Sequence, residues 1–389
     1  MTLKGEYAGR IARLRDKLLE QGLDGALISH PIDLYYFTGT RQNGVFWAAA
    51  SGGAQLLVRK SLARARAEAQ IDQVLPFPSS KQFAAVLSGK PRRVGMTFDV
   101  LPVQQYNYYT KLLPGCQFSD VSTLVRELRA NKSAWELEVM RRGAVQLCAV
   151  FAEVPEFLRA GMREVDLAAE FEMRLRKAGG EGYTRMRAYN QELFMGLAVS
   201  GDRGSTPGFI DGAVTGAGMS KASPHGASAQ QIARHEPIMI DYTGTFNGYI
   251  LDMTRIFVIG DLDDKLQRAF DTARAIHEQV AAAMRPGAIC ADIFELAAKM
   301  AEDANLGTHF MGPPGEQAKF VGHGVGLELD EMPVLAKGVN VALQLKQTIA
   351  LEPKFVFPGI GVVGIENTFI VGQDGAARLT RLKDDLVRL

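Results

Sequence analysis

Four carboxylates and one imidazole in the second half of this 389-residue sequence have the types and spacing to do chemistry together. They are Asp241, Asp252, His323, Glu352 and Glu366. The two aspartates flank Asn247-Gly248, and Asn-Gly between two β-rich runs is the strongest short hairpin signal. With a two-residue loop there, Phe246 faces Tyr249, Thr243 faces Asp252 and Asp241 faces Thr254. Strand side chains alternate between faces. Asp241 and Asp252 then share a face as diagonal neighbours, within about 8 Å of one another. Two carboxylates that close repel unless something positive lies between them, and a pair of metal ions would supply it. The alternative is a hairpin carrying two solvent-facing acids. Against it stand the scarcity of Asp in strands and the apolar residues that precede both positions.

Glu352 and Glu366 each follow an apolar run, on either side of the turn Pro358-Gly359-Ile360-Gly361. A three-residue loop at 358–360 sets the two glutamates directly opposite each other. A two-residue loop at 359–360 puts them on opposite faces, so a shared site requires the odd loop. His323 sits in Val321-Gly322-His323-Gly324, where glycines let other groups approach the ring. A glycine-flanked histidine equally suits a packed core. Together the five form an oxygen-rich set that suits Mn, Co, Fe or Zn better than copper or an iron–sulfur cluster. Two such ions about 3.5–4 Å apart can ionise a shared water near neutral pH.

These residues must be held by a folded chain. Its 389 residues are too many for one ordinary core and predict two domains. Hydrophobic residues make up 47% and charged residues 22%, with a net charge of +1, which points to no polyanionic or membrane partner. Nucleic acid is therefore not expected as a partner. No signal core precedes residue 8 and no apolar run reaches about 18 residues, so the expected compartment is the cytoplasm. Three scattered cysteines, Cys116, Cys148 and Cys290, predict free thiols rather than a disulfide framework.

Helical spacing over 8–21, closed by Gly22, leads into a short strand at 25–29, and helix–strand alternation continues to about 125. The first domain, 1–130, therefore reads as α/β. Near 130 the texture changes: Ser133 is a plausible N-cap for a long helix, and the second domain spans 131–389. Further helices are expected at 163–178, 264–284 and 291–304. A long loop is expected over 200–230, with strands dominating from 236 and two strands over 346–373. His277 falls on the apolar stripe of its helix and reads as a core histidine. Gly201-Asp202-Arg203-Gly204 lacks the Lys-Ser/Thr of a phosphate loop.

At the five ligand positions the sequence resembles the metallopeptidase M24 family, which includes Xaa-Pro aminopeptidases, prolidases and creatinase. The motifs fall in the family's order, with Asp241 and Asp252 eleven positions apart. Tyr35-Tyr36-Phe37-Thr38-Gly39 is similar to the family's N-terminal half. The resemblance implies a creatinase-like N-terminal domain of α/β class and an α+β pita-bread catalytic domain. It implies two divalent ions, with manganese favoured. Asp241 and Glu352 would be terminal ligands, Asp252 and Glu366 bridging ligands, and His323 a ligand to one ion. Glu352 would also carry a proton. His225, in Ser223-Pro224-His225-Gly226, matches a histidine near the substrate amide and equally suits a structural role in its loop. A homodimer is the implied assembly. The implied activity is hydrolysis of the amide bond before proline in short peptides.

Three positions depart from the family pattern. Asp330 stands where a second histidine usually donates a hydrogen bond to the substrate, and an ionised aspartate cannot donate. Gly364 replaces an arginine, and Asn367 replaces an acid; losing both reads as a compensated swap. The loop from about 190 to 222 is longer than usual. These departures bear on the substrate, of which Asp330 is a candidate contact. They open two alternatives: a small non-peptide amide or C–N substrate, and a metal-binding family member without catalysis.

Overall fold

The computed structural model describes residues 2–87, 90–187 and 195–389. The start of the long loop expected from about 190, residues 190–194, lies outside them. The chain forms two compact units, one of Met1–Arg129 and one that begins at Ala130.

In the first unit the Thr2 hydroxyl accepts from the backbone N–H of Gly5 and so caps the helix Leu3–Glu20. Gly22, at φ +64, turns the chain into the strand Gly25–Ile28. Six strands build a mixed sheet in the order Gln73–Pro76, Ala54–Val58, Gly44–Ala49, Gly25–Ile28, Arg93–Met96, Gln117–Asp120. Trp47, Leu27, Val94 and Phe83 are buried in its core.

The second unit starts with the helix Ala134–Phe157. Ser133 accepts from the Glu136 N–H while the Glu136 carboxylate accepts from the Ser133 N–H, a reciprocal capping box. Gly143 of this helix lets it lie close on the sheet, because a Cβ there would meet Leu251 and Phe246 side-chain carbons at 2.9 Å. The helix Glu164–Lys177 follows. Glu164 is fully buried, and its carboxylate accepts from the backbone and hydroxyl groups of both Ser200 and Ser228. It thereby fastens both ends of the Gly- and Ser-rich stretch that was expected as a loop over 200–230.

The large sheet of this unit runs in the order Glu331–Ala336, Phe320–Gly324, Thr348–Leu351, Glu366–Gly372, Tyr249–Val258, Ile238–Phe246, Gly196–Ser200. The helices Asp264–Ala283 and Cys290–Asp303 contribute to an apolar core of this unit. Two strands were expected over 346–373, and four are present. Pro353 and Ile365 interrupt them, so Lys354–Phe357 and Gly361–Gly364 form a separate two-stranded ladder beyond the sheet. The described cysteines are free, as expected.

Candidate metal centre

Two registers place the carboxylates. The first hairpin pairs Phe246 with Tyr249, Thr243 with Asp252 and Asp241 with Thr254, the register that a two-residue Asn247-Gly248 loop dictates. In the second, Phe357 faces Gly361, Lys354 faces Gly364 and Leu351 faces Asn367. The loop is therefore the three-residue one, and the same register carries Glu352 opposite Glu366. Thr254 faces both Asp241 and Glu366, and its hydroxyl donates to Glu366 Oε2 at 2.8 Å. Across the sheet the five residues follow one another strand by strand: His323, Glu352, Glu366, Asp252, Asp241.

All but Asp241 are buried, and Asp241 is partly so. Asp252, His323 and Glu366 each bring a ligand atom within 4.8 Å of the others. Asp252 Oδ1 and Glu366 Oε1 are buried without a hydrogen-bond partner. Orphaned oxygens at such depth carry a large desolvation cost that a cation would remove. Burial, with Lys354 opposing and Glu352 and Asp241 adding, pushes the Glu366 carboxyl up to about 8. Burial, then the charges of Glu366 and Asp241, holds Asp252 well above the usual carboxylate range. His323 Nδ1 lies 3.0 Å from the Leu329 carbonyl and 3.1 Å from that of Gly324. Carbonyls only accept, so Nδ1 carries a proton, and Nε2 faces Glu352 Oε1, 3.5 Å away. Asp330 Oδ1 lies 3.4 Å from Nδ1, on the other side of the ring from Nε2. Burial lowers the His323 pKa, and Asp330, Glu352 and Asp252 outweigh it, so the net direction is up.

One residue of the cluster went unread in the sequence. Lys354 is 3% exposed, and its ammonium donates to Glu352 Oε2 at 2.6 Å, Asp241 Oδ2 at 2.9 Å and Glu366 Oε2 at 3.2 Å. Burial opposes its charge, but Asp241, Glu352 and Glu366 raise its pKa well above the ordinary lysine value. The signal was available. Lys354 lies two residues from Glu352 and therefore points to the same side of an extended chain. Gly364 faces it across the ladder, and a Cβ at 364 would stand 2.6 Å from Lys354 Cγ. The positive charge missing at 364 is present directly opposite, at 354.

A cavity of about 420 Å³ opens over the cluster. Met186, Leu197, Ile210, Phe320, Leu329 and Val334 give it apolar walls, and Asp211 and Asp330 add acids. The volume falls within the range of small-molecule sites. His225 is not among its lining residues; it lies in the 206–237 segment with its ring 5.7 Å from that of Phe209.

Residues 138–373 match the model of metallopeptidase family M24, and residues 10–131 match the creatinase/prolidase N-terminal domain. The chain belongs to metallopeptidase family M24. Its members here include an Xaa-Pro dipeptidase of Pyrococcus furiosus, 24% identical over 97% of this chain and 99% of that one. A probable dipeptidase of Mycobacterium tuberculosis is 25% identical over 98% and 96%. Among solved structures, an Xaa-Pro dipeptidase from Bacillus anthracis superposes with a TM-score of 0.85 at 24% identity, covering 98% and 100% of the two chains. The prolidase from Pyrococcus horikoshii gives 0.82 at 22%, covering 97% and 100%. The fold is thus the creatinase N-terminal domain followed by the pita-bread domain, and the M24 chain is a peptidase-class hydrolase. The family implies divalent metal, and the orphaned oxygens beside His323 fit an ion there.

Asn367 and His277 lie outside the centre. Asn367 accepts from Arg255 at 2.9 Å and donates to Asp384 at 3.1 Å and toward His277 Nε2 at 3.2 Å. Asp384 also pairs with Arg255 at 3.1 Å. The acid lost at 367 is supplied from 384. His277 is a core residue, 1% exposed, with its ring 5.0 Å from Phe369.

Proposed function

We propose that this M24 hydrolase cleaves the amide bond before proline in short peptides. The observation that carries the reading is the convergence of Asp241, Asp252, His323, Glu352 and Glu366 from neighbouring strands into one buried cluster beneath a small apolar cavity. Asp252, His323 and Glu366 are the residues that would hold an ion. When bound, a divalent ion would polarise the scissile carbonyl and lower the pKa of the attacking water. Glu352 stands beside His323 and is the candidate for moving the proton to the leaving nitrogen. The apolar walls would exclude bulk water and seat a proline ring.

Asp330 and Asp211 face the cavity, and its basic lining residues are Lys354 and His323, both engaged by carboxylates. That lining suits a substrate bringing an ammonium, such as a free peptide N-terminus. His225 remains a candidate substrate contact from its own loop. The reading also carries manganese as the ion, the cytoplasm as the compartment, a homodimer as the assembly and a domain boundary at 130/131. A second reading, a small non-peptide amide or C–N substrate, is favoured by one observation: Asp330 offers no hydrogen bond to a developing oxyanion.

The test is chelated protein reloaded with Mn, Co, Zn or Fe and offered Xaa-Pro dipeptides and Xaa-Pro-Xaa tripeptides. Ion-dependent release of the first residue supports the peptidase. Silence in a protein with bound metal moves the substrate to non-peptide amides.

A further inference from the structure

The ligand set provides carboxylates for two cations, and one of the two positions already holds a side chain. Lys354 Nζ uses its three donors on Asp241, Glu352 and Glu366, at 2.9, 2.6 and 3.2 Å. Asp241 is the ligand at the end of the row away from His323, and it is a partner of the ammonium. Among the fully buried oxygens of the cluster, Asp252 Oδ1 and Glu366 Oε1 have no hydrogen-bond partner, and both residues belong with His323 to the group that can converge on one ion. We propose that the Lys354 ammonium is a built-in substitute for one metal ion, so that this chain takes at most one divalent cation, held by Asp252, His323 and Glu366.

Three observations bear on it independently. The geometry is that of a cation on several carboxylates, not of a lysine whose head reaches solvent. The space for the stem is prepared: Gly364 stands directly across the ladder, and any Cβ there would collide with Lys354 Cγ at 2.6 Å and Pro353 O at 2.7 Å. Charge also fits. A second divalent ion on Asp241 and Glu352 would stand close to an ammonium that already sits 2.9 and 2.6 Å from them, and the two cations would repel. The ammonium differs from a metal ion in what it can do. It holds three carboxylates in place and offers hydrogen bonds, but has no open coordination position for a carbonyl. The catalytic cation is then the one beside His323 alone.

The inference rests on the M24 reading only for the expectation that the site takes metal at all, and its test uses no substrate. Purified wild-type protein is stripped with chelator, dialysed against excess Mn, and its bound metal counted by elemental analysis and native mass spectrometry. The same is done for Lys354→Ala and for Lys354→Gly. The expected result is one ion more per chain in the variants than in the wild type, with the wild type holding no more than one. A wild type with none and variants with one would sustain the lysine's exclusion of metal while removing the metal-dependent reading of function. Two ions in the wild type, or equal counts in wild type and folded variants, overturn the proposal. If neither variant folds, the position of manganese by anomalous scattering in wild-type crystals decides. A single peak beside His323 with Nζ on Asp241 sustains it, and a second peak touching Asp241 overturns it.

Discussion

Glu366→Gln should separate what the carboxylate does for the fold from what it does for metal. Glu366 is 1% exposed, and burial is the main cause that pushes its carboxyl up to about 8. A folded-state pKa above the unfolded one means the folded state holds the proton more tightly. The associated stability is complete at low pH, declines above the unfolded value of about 4.5 and is lost as pH rises through about 8. Above that range, keeping the group ionised in the metal-free fold costs on the order of 5 kcal/mol by linkage. The amide of glutamine has the same shape and no charge to desolvate, and it can still accept from Thr254. In chelator, Glu366→Gln is therefore expected to melt higher than wild type at pH 9, by roughly 10 °C for a domain of this size. The gain should shrink at pH 7 and vanish near pH 4.5. In excess Mn the order should reverse, because only the wild type gains stability from binding. Thermal unfolding monitored by circular dichroism at three pH values, with and without metal, reads all of this. A variant that melts lower than wild type in chelator at every pH would show that the ionised carboxylate stabilises the metal-free fold through Lys354, and the reasoning would fail.

Three further outcomes follow from neighbouring groups. Thr254→Val removes the 2.8 Å bond to Glu366 and should weaken metal affinity by roughly 10-fold with little loss of fold, read by calorimetric titration. Burial, followed by Arg378 and Arg255, holds His277 well below the ordinary histidine value. Its stability contribution is present above about pH 6.5 and lost as pH falls below it, so His277→Phe should flatten the acid side of the stability profile measured by denaturant melts. Ser133→Ala deletes the hydroxyl of the capping box and should cost about 1 kcal/mol, a shift of a few degrees in the melting temperature.

Much of the site was legible because sheets obey parity. A two-residue loop at Asn247-Gly248 and an odd loop at 358–360 are enough to bring four carboxylates to one face, and the observed registers are those two. The same arithmetic applied to residue 354 would have placed a lysine among them. A search by ligand type does not reach it, because an ammonium donates to carboxylates and does not bind metal. Other features were illegible for a physical reason. Glu164 fastens Ser200 and Ser228, 36 and 64 residues away, and Asn367 meets Asp384 through a turn no periodicity announces. Tertiary hydrogen bonds of this kind leave no local trace. The division of 346–373 into four strands instead of two likewise depends on where Pro353 and Ile365 break the ladder, which hydrophobic runs alone do not reveal.

The central claim is that the buried cluster on the large sheet is a hydrolytic centre for amides. Its most direct test compares wild type with Asp252→Asn, an isosteric change, on an Ala-Pro-Xaa tripeptide in excess Mn, with circular dichroism as the check on fold. The account predicts ion-dependent release of alanine by the wild type and a loss of at least about 100-fold in the folded variant. Undiminished turnover by folded Asp252→Asn would contradict it.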